Sequence, residues 1–248
     1  EKVNLKGLPE LELFMFHKIY LLNNNFEKYF KNYDFHNLYK ELLNFCTVDL
    51  SAFYFDIRKD SLYCDSKDSK KRKSTIILLN VILNSLLKWF APILSFTTEE
   101  IYRLIMNDNK SIHLTKFLEF PISFKNENLN QKWLELIKIR NVCNISIEEK
   151  RASKEIGSSL EASLKINLDK KLTDISQNID FSELCITSSA EVSYLENSET
   201  KVQTTKAEGL KCQVCWKITK DACSRKTCPQ HTAVSYTHLR AHETKANL

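Results

Sequence analysis

The chain has 248 residues, 43% of them hydrophobic, with 3 Gly, 4 Pro and a net charge of +5. That apolar content is enough for a buried core in one or two domains. So few glycines exclude loops that cradle phosphates by close backbone approach, and neither a P-loop nor a dinucleotide fingerprint occurs. The sequence has no apolar run near the roughly 18 residues of a membrane span and no signal peptide, so it reads as soluble and cytoplasmic.

Pro9 suits a first helical turn, and Leu11, Met15, Leu22, Phe26 and Tyr29 or Phe30 mark one apolar stripe over 10–31. Asp34 is a candidate N-cap for a second helix carrying Leu38, Leu42 and Phe45. The spacing Leu42, Phe45, Asp49, Phe53, Ile57 continues that face to about residue 59. The stretch then turns basic, with Arg58, Lys59 and the run Lys70, Lys71, Arg72, Lys73. A core-forming helix thus delivers cations to the surface, which makes a docking face for a polyanion such as RNA.

A third helix is expected over 74–90, with Ile77, Val81, Asn84, Leu87 and Phe90 or Ala91 on its inner side and Pro92 ending it. Thr97 and Glu100 have the spacing of a capping box for a fourth helix carried by Ile101, Leu104 and Ile105. Short connections make these helices an up-and-down bundle. His17, His36 and His113 stand alone and are given no chemistry.

Residues 107–132 read as a polar connector, followed by a helix from Trp133 to about residue 154 that Gly157 closes. The period then changes to two. Leu160, Ala162, Leu164, Ile166 and Leu168 alternate with polar residues as a half-buried strand, with further strands near 181–187 and 191–195. The fold class is therefore mainly α: a helical bundle, then a small α+β module, then a zinc knuckle.

The knuckle is read from cysteine spacing. Cys212 and Cys215 form one pair, and Cys228 and His231 form a second with the same internal gap. Together they complete a tetrahedral Cys3His set with no open position, which argues for a structural zinc. Cys223 is an alternative fourth ligand. His238 and His242 lie too far from Cys215 for a DNA-reading finger, so no DNA partner is expected. The whole charge excess falls in 209–248, whereas residues 1–208 sum to zero. Trp216, directly after the second cysteine, either packs under the knuckle or stacks on a base.

Four stretches carry a family resemblance: YDFHNLYKELLNFCTVDLSAFYFDIRKDSLYC, LLKWFAPILSFTTEEIY, the run from Arg140 through EEKRASKEIGSSLEASL, and KCQVCW with its distal ligands. In this order they resemble bacterial-type isoleucyl-tRNA synthetases, class I ligases that use ATP to attach isoleucine to its tRNA and that edit misacylated valine. The family's ATP-site signatures and its editing domain are absent here. The resemblance therefore implies a carboxyl-terminal, tRNA-binding part without the catalytic core. It divides into a helical-bundle anticodon-binding domain over 1–125, an α+β junction module over 126–208, a zinc-binding module over 209–234 and a tail over 235–248 that reads as non-native sequence.

The implied partners are tRNA(Ile) and the remainder of a monomeric synthetase, with ATP as substrate of the missing catalytic domain. Candidate tRNA contacts are Arg58, Lys59, Lys71, Arg72, Lys73, Trp216, Lys217 and Lys226. The family usually completes its zinc site with a second Cys-x2-Cys pair, and this chain has Cys228 and His231 in that place. The rival reading is a zinc-stabilised helical interaction module without RNA specificity. A Cys/His hydrolase is weaker, because the cysteines nearest a histidine are claimed by the metal.

Overall fold

The structure, a computed structural model, describes residues 4–106, 110–195, 200–212 and 215–220. It is mainly helical with a small sheet. The chain divides into two compact units, one holding the residues up to Asp56 and Asp68–Glu127, the other Ile57–Lys67 and the chain from Asn128 on. Ile57–Lys67 thus groups away from the bundle in which the sequence placed it.

The first unit is built on α1 (Glu10–Lys31), α2 (Phe35–Asn44), a π-helical segment (Phe45–Phe55), α4 (Lys70–Phe90) and α5 (Ser95–Met106). Asp34 caps α2 as expected, its carboxylate accepting from the Asn37 amide at 3.2 Å. The core centres on Trp89, whose ring stands edge-on to Phe26 at 4.9 Å and lies 6.0 Å from Phe45. Its indole N–H, which burial would otherwise leave unmet, donates to Asn23 Oδ1 at 3.0 Å. Phe14, Met15, Phe16 and Ile19 are also fully buried, so the apolar face of α1 is wider than one stripe.

Three sequence expectations are corrected in this unit. The buried residues of α4 are Ser74, Thr75, Leu78, Ile82, Ser85, Leu87 and Trp89: of the expected face Leu87, with Ala91 just past the helix, is buried, but the main buried stripe runs one residue round. Ile77, Val81 and Asn84 instead line an open groove of about 960 Å³ with Tyr102, Leu118 and Phe120. The helix is apolar on two sides, so its period could not choose between them. In α5 only Thr98 is buried, while Ile101, Leu104 and Ile105 are exposed. The capping box does not form: α5 starts at Ser95, and Glu99 rather than Glu100 reaches out, accepting from Ser111 and from the Ile112 amide, each at 2.9 Å.

The π segment makes the third correction. Backbone bonds from i to i+5 lengthen the repeat, so Leu50 is buried where an α-helical period demanded Asp49. Asp49 is partly exposed and forms an ion pair with Lys18.

In the second unit α6 (Glu127–Ala152) buries Trp133, Leu136, Arg140, Cys143 and Ile147, at alternating steps of three and four. A three-stranded sheet has β1 (Ala162–Leu168) between β2 (Ser189–Tyr194), parallel, and β3 (Lys201–Lys206), antiparallel. Ala162, Leu164, Ile166 and Leu168 are buried, as the alternation predicts. The Ser146 and Thr204 hydroxyls meet at 2.7 Å and tie α6 to β3.

A parallel pair needs a crossover, here α7 (Lys170–Ile175) and α8 (Phe181–Leu184). The strand expected near 181–187 is thus a helical turn, because Asp180 caps it with bonds from the Ser182 and Glu183 amides at 2.9 and 3.2 Å. Gly157 does not close α6 either. Lys154 takes the left-handed position at φ 61°, and its amide donates to Arg151 O.

Candidate nucleic-acid interface

Lys70 to Lys73 are the first four residues of α4, and the Ser69 hydroxyl caps them by accepting from the Arg72 amide at 3.4 Å. A helix amino terminus already carries partial positive charge, so four cations there work against helix stability. The same superposition makes that end favourable for an anion. Lys70 and Lys73 are exposed and Lys71 and Arg72 half-buried. Lys73 pairs with Asp68 at 2.8 Å, and that bond holds the Asp68 carboxyl below its usual range.

Lys59 is exposed on α3 (Asp56–Cys64), but Arg58 is not. Only 3% of its surface is accessible, and its guanidinium donates to Glu183 Oε1 at 2.8 Å. The Ser61 hydroxyl reaches the same oxygen at 3.5 Å. Ile57, Arg58, Ser61 and Cys64 form the inward face of α3. The expectation that Arg58 meets a phosphate is corrected accordingly: its charge is spent on Glu183. Nothing local in the sequence marks that partner, 125 residues away.

Cys212 and Cys215 lie in the turn between β4 (Leu210–Lys211) and β5 (Ile218–Thr219). The Trp216 amide donates to Cys212 O at 3.0 Å, and the Cys212 amide donates to Lys217 O at 2.8 Å. Gly209 makes the approach to this turn possible, since at φ 134° a Cβ would stand 2.1 Å from Thr219 O. Trp216 occupies φ 60° and is 53% exposed, with the Lys211 ammonium 5.8 Å from its ring centre. Lys217 is half-buried, and Lys220 pairs with Glu208 at 3.1 Å.

The hairpin is anchored where the Ile218 amide donates to the Ser188 hydroxyl at 2.6 Å. Burial pushes the Asp180 carboxyl up, but the Ser182 hydroxyl, the Glu183 amide and the charge of Lys217 outweigh it and leave it below its usual range. Cys223, Lys226, Cys228, His231 and the segment 235–248 lie outside the described residues. Among the described residues no group of three His, Cys, Asp or Glu side chains is placed to hold a metal. Cys212 and Cys215 supply two thiol donors, the donor chemistry that zinc prefers. No helix among the described residues is long and apolar enough to cross a membrane.

The first unit thus presents cations at the amino-terminal end of α4, and the second carries an exposed aromatic, Trp216. Residues 13–166 match the anticodon-binding domain of tRNA ligase, and the chain belongs to that family. It is 68% identical over 225 residues to the isoleucine–tRNA ligase of Pelagibacter ubique (strain HTCC1062), covering 91% of this chain and 25% of that protein. It is 37% identical over 246 residues to the isoleucine–tRNA ligase of Agrobacterium fabrum, covering 95% of this chain and 25% of the relative. With the isoleucine–tRNA ligase of Bartonella henselae the identity is 36% over 251 residues, covering 97% and 26%. The chain thus spans about a quarter of the length of the curated relatives it matches. These matches do not favour the RNA-independent interaction module.

Proposed function

We propose that this chain is the anticodon-recognising part of an isoleucine–tRNA ligase, binds tRNA(Ile), and has no aminoacylation activity by itself. The observation that carries this reading is the basic run at the positive end of α4, inside the segment that matches an anticodon-binding domain. Lys71, Arg72 and Lys73, with Lys59 on α3, neutralise phosphates and set register without reading sequence. Trp216 offers a flat ring for an unpaired base, with Lys217 next to it in the chain and Lys226 further on for the flanking phosphates. Cys212, Cys215, Cys228 and His231 hold a structural zinc, which when bound fixes the hairpin that presents Trp216. In the whole ligase, a monomer of the cytoplasm, activation of isoleucine with ATP, transfer to tRNA and editing of valine belong to the remaining polypeptide.

The test is binding of the purified chain to a tRNA(Ile) transcript, against one with a swapped anticodon, with and without a zinc chelator. The expected result is salt-sensitive binding that prefers the native anticodon and weakens with the chelator. Equal affinity for both transcripts would remove anticodon recognition from this chain, and absence of binding at moderate salt would reject the reading.

A further inference from the structure

Tyr33 breaks a local rule. It sits at φ 56° just past the end of α1, where its amide donates to Phe30 O at 3.3 Å and the Asp34 amide donates to Tyr29 O at 2.9 Å. That pair of bonds is the Schellman termination, whose left-handed residue is ordinarily glycine. A bulky aromatic there strains the backbone. Packing does not compensate: the side chain is 81% exposed, and its ring contact is an edge-on one with Phe35 at 6.5 Å.

The surroundings show what such a ring could serve. Phe35 stands edge-on to Phe30 at 6.1 Å, and Phe30 to Phe117 at 5.3 Å, so four aromatic rings run in a row along this end of the first unit. Phe30 and Phe117 wall a cleft of about 260 Å³ whose rim carries Lys88, His113 and Lys116. Lys88 is committed to Lys116 O at 2.7 Å, whereas Lys116 itself is exposed and pairs with no carboxylate among the described residues. The neighbouring acids are engaged locally, Glu27 with Lys31 and Asp34 as the cap of α2. Exposed rings beside cations complement the two faces of single-stranded nucleic acid, flat bases and charged phosphates.

We propose that Tyr33 is a stacking platform for an unpaired base of the bound RNA, and that the adjoining Phe30–Phe117 cleft takes the strand onward with Lys116 on a phosphate. This is a second RNA contact, distinct from the basic run of α4, and it rests on the reading of the chain as an RNA-binding part.

The experiment pairs stability with affinity for a tRNA(Ile) transcript. Glycine is the residue the termination favours, so Tyr33→Gly should raise the melting temperature while weakening RNA binding about tenfold, with an unchanged salt slope because no charge is lost. Tyr33→Asn, which tolerates the same φ, should behave likewise, and Tyr33→Trp should retain affinity. Lys116→Ala should lower the salt slope by roughly 0.7 to 0.9. Wild-type affinity in Tyr33→Gly and Tyr33→Asn would overturn the proposal. If both variants lowered the melting temperature, Tyr33 would be a structural residue and the proposal would fall. Unchanged RNA affinity with weakened association to the rest of a ligase would make the patch a polypeptide-docking face, again overturning it. If the Lys71, Arg72 and Lys73 substitutions abolish binding while Tyr33→Gly does not, this inference alone fails. If the unsubstituted chain does not bind the transcript, both readings fail.

Discussion

Arg58 and Glu183 meet at 2.8 Å across 125 residues of sequence, with the arginine almost wholly out of solvent. Removing one partner of a buried pair leaves an uncompensated charge, at a cost of about 3–5 kcal/mol. Glu183 keeps about a fifth of its side chain accessible, so the lower end of that range applies. Arg58→Met should therefore lower the unfolding free energy, and Arg58→Met with Glu183→Leu should recover part of the loss. Urea unfolding of the single and double variants checks this. A single variant as stable as the parent chain would show that the pair contributes nothing.

The basic run should trade stability against binding. Replacing Lys71, Arg72 and Lys73 by alanine removes cations from the wrong end of a helix dipole, so the fold should become more stable, by up to about 1 kcal/mol per residue. The slope of log affinity against log salt for tRNA should fall by roughly two to three. Calorimetry and filter binding at several salt concentrations read the two effects separately.

His17 should make stability depend on pH. Its ring is fully buried in the first unit, with Nδ1 accepting from the Asn126 amide at 3.0 Å and Nε2 3.9 Å from a Glu127 carboxylate oxygen. Burial lowers its pKa below 6.5, Glu127 opposes that, and Lys125 and Lys18 reinforce it. The folded state thus favours the neutral ring. Its contribution is complete above the unfolded value near 6.5 and is lost as pH falls from there through the folded value. His17→Gln should flatten thermal stability between about pH 7 and pH 5 relative to the parent chain.

The hairpin should respond to metal. We expect the purified chain to carry one zinc per molecule. Chelation or Cys215→Ser should expose Trp216 amides to faster hydrogen exchange while α1 and α4 keep their protection. Elemental analysis together with exchange mass spectrometry checks this, and a chain purified without zinc would remove the metal from the account.

Sequence sufficed wherever one local rule governed. Asp34 caps α2, β1 alternates as written, and α1 carries its amphipathic stripe, because each depends on neighbours within a few residues. It failed where the deciding partner was remote. The inner face of α4 was selected by Trp89 meeting Asn23 and Phe26, contacts its own period does not encode. The inward turn of Arg58 depends on Glu183, and Phe181 to Thr187 have the residue types of a strand although the Asp180 cap turns them helical. Of the candidate site, the basic run was legible, since charge is visible in the letters, whereas the letters do not fix whether Trp216 is buried or exposed. The strain at Tyr33 was not legible, because a left-handed φ leaves no compositional mark outside glycine and asparagine.

The π-helical segment has an evolutionary corollary. A helix with i to i+5 bonds is an α-helix that has absorbed extra residues, so it is a place where insertions and deletions can be tolerated. Removing one residue between Phe45 and Phe55 would tighten the coil and re-index the segment, with little demand on the α-helical turns either side. Length variation among homologues is therefore expected to collect in this segment, which otherwise looks like uninterrupted helix.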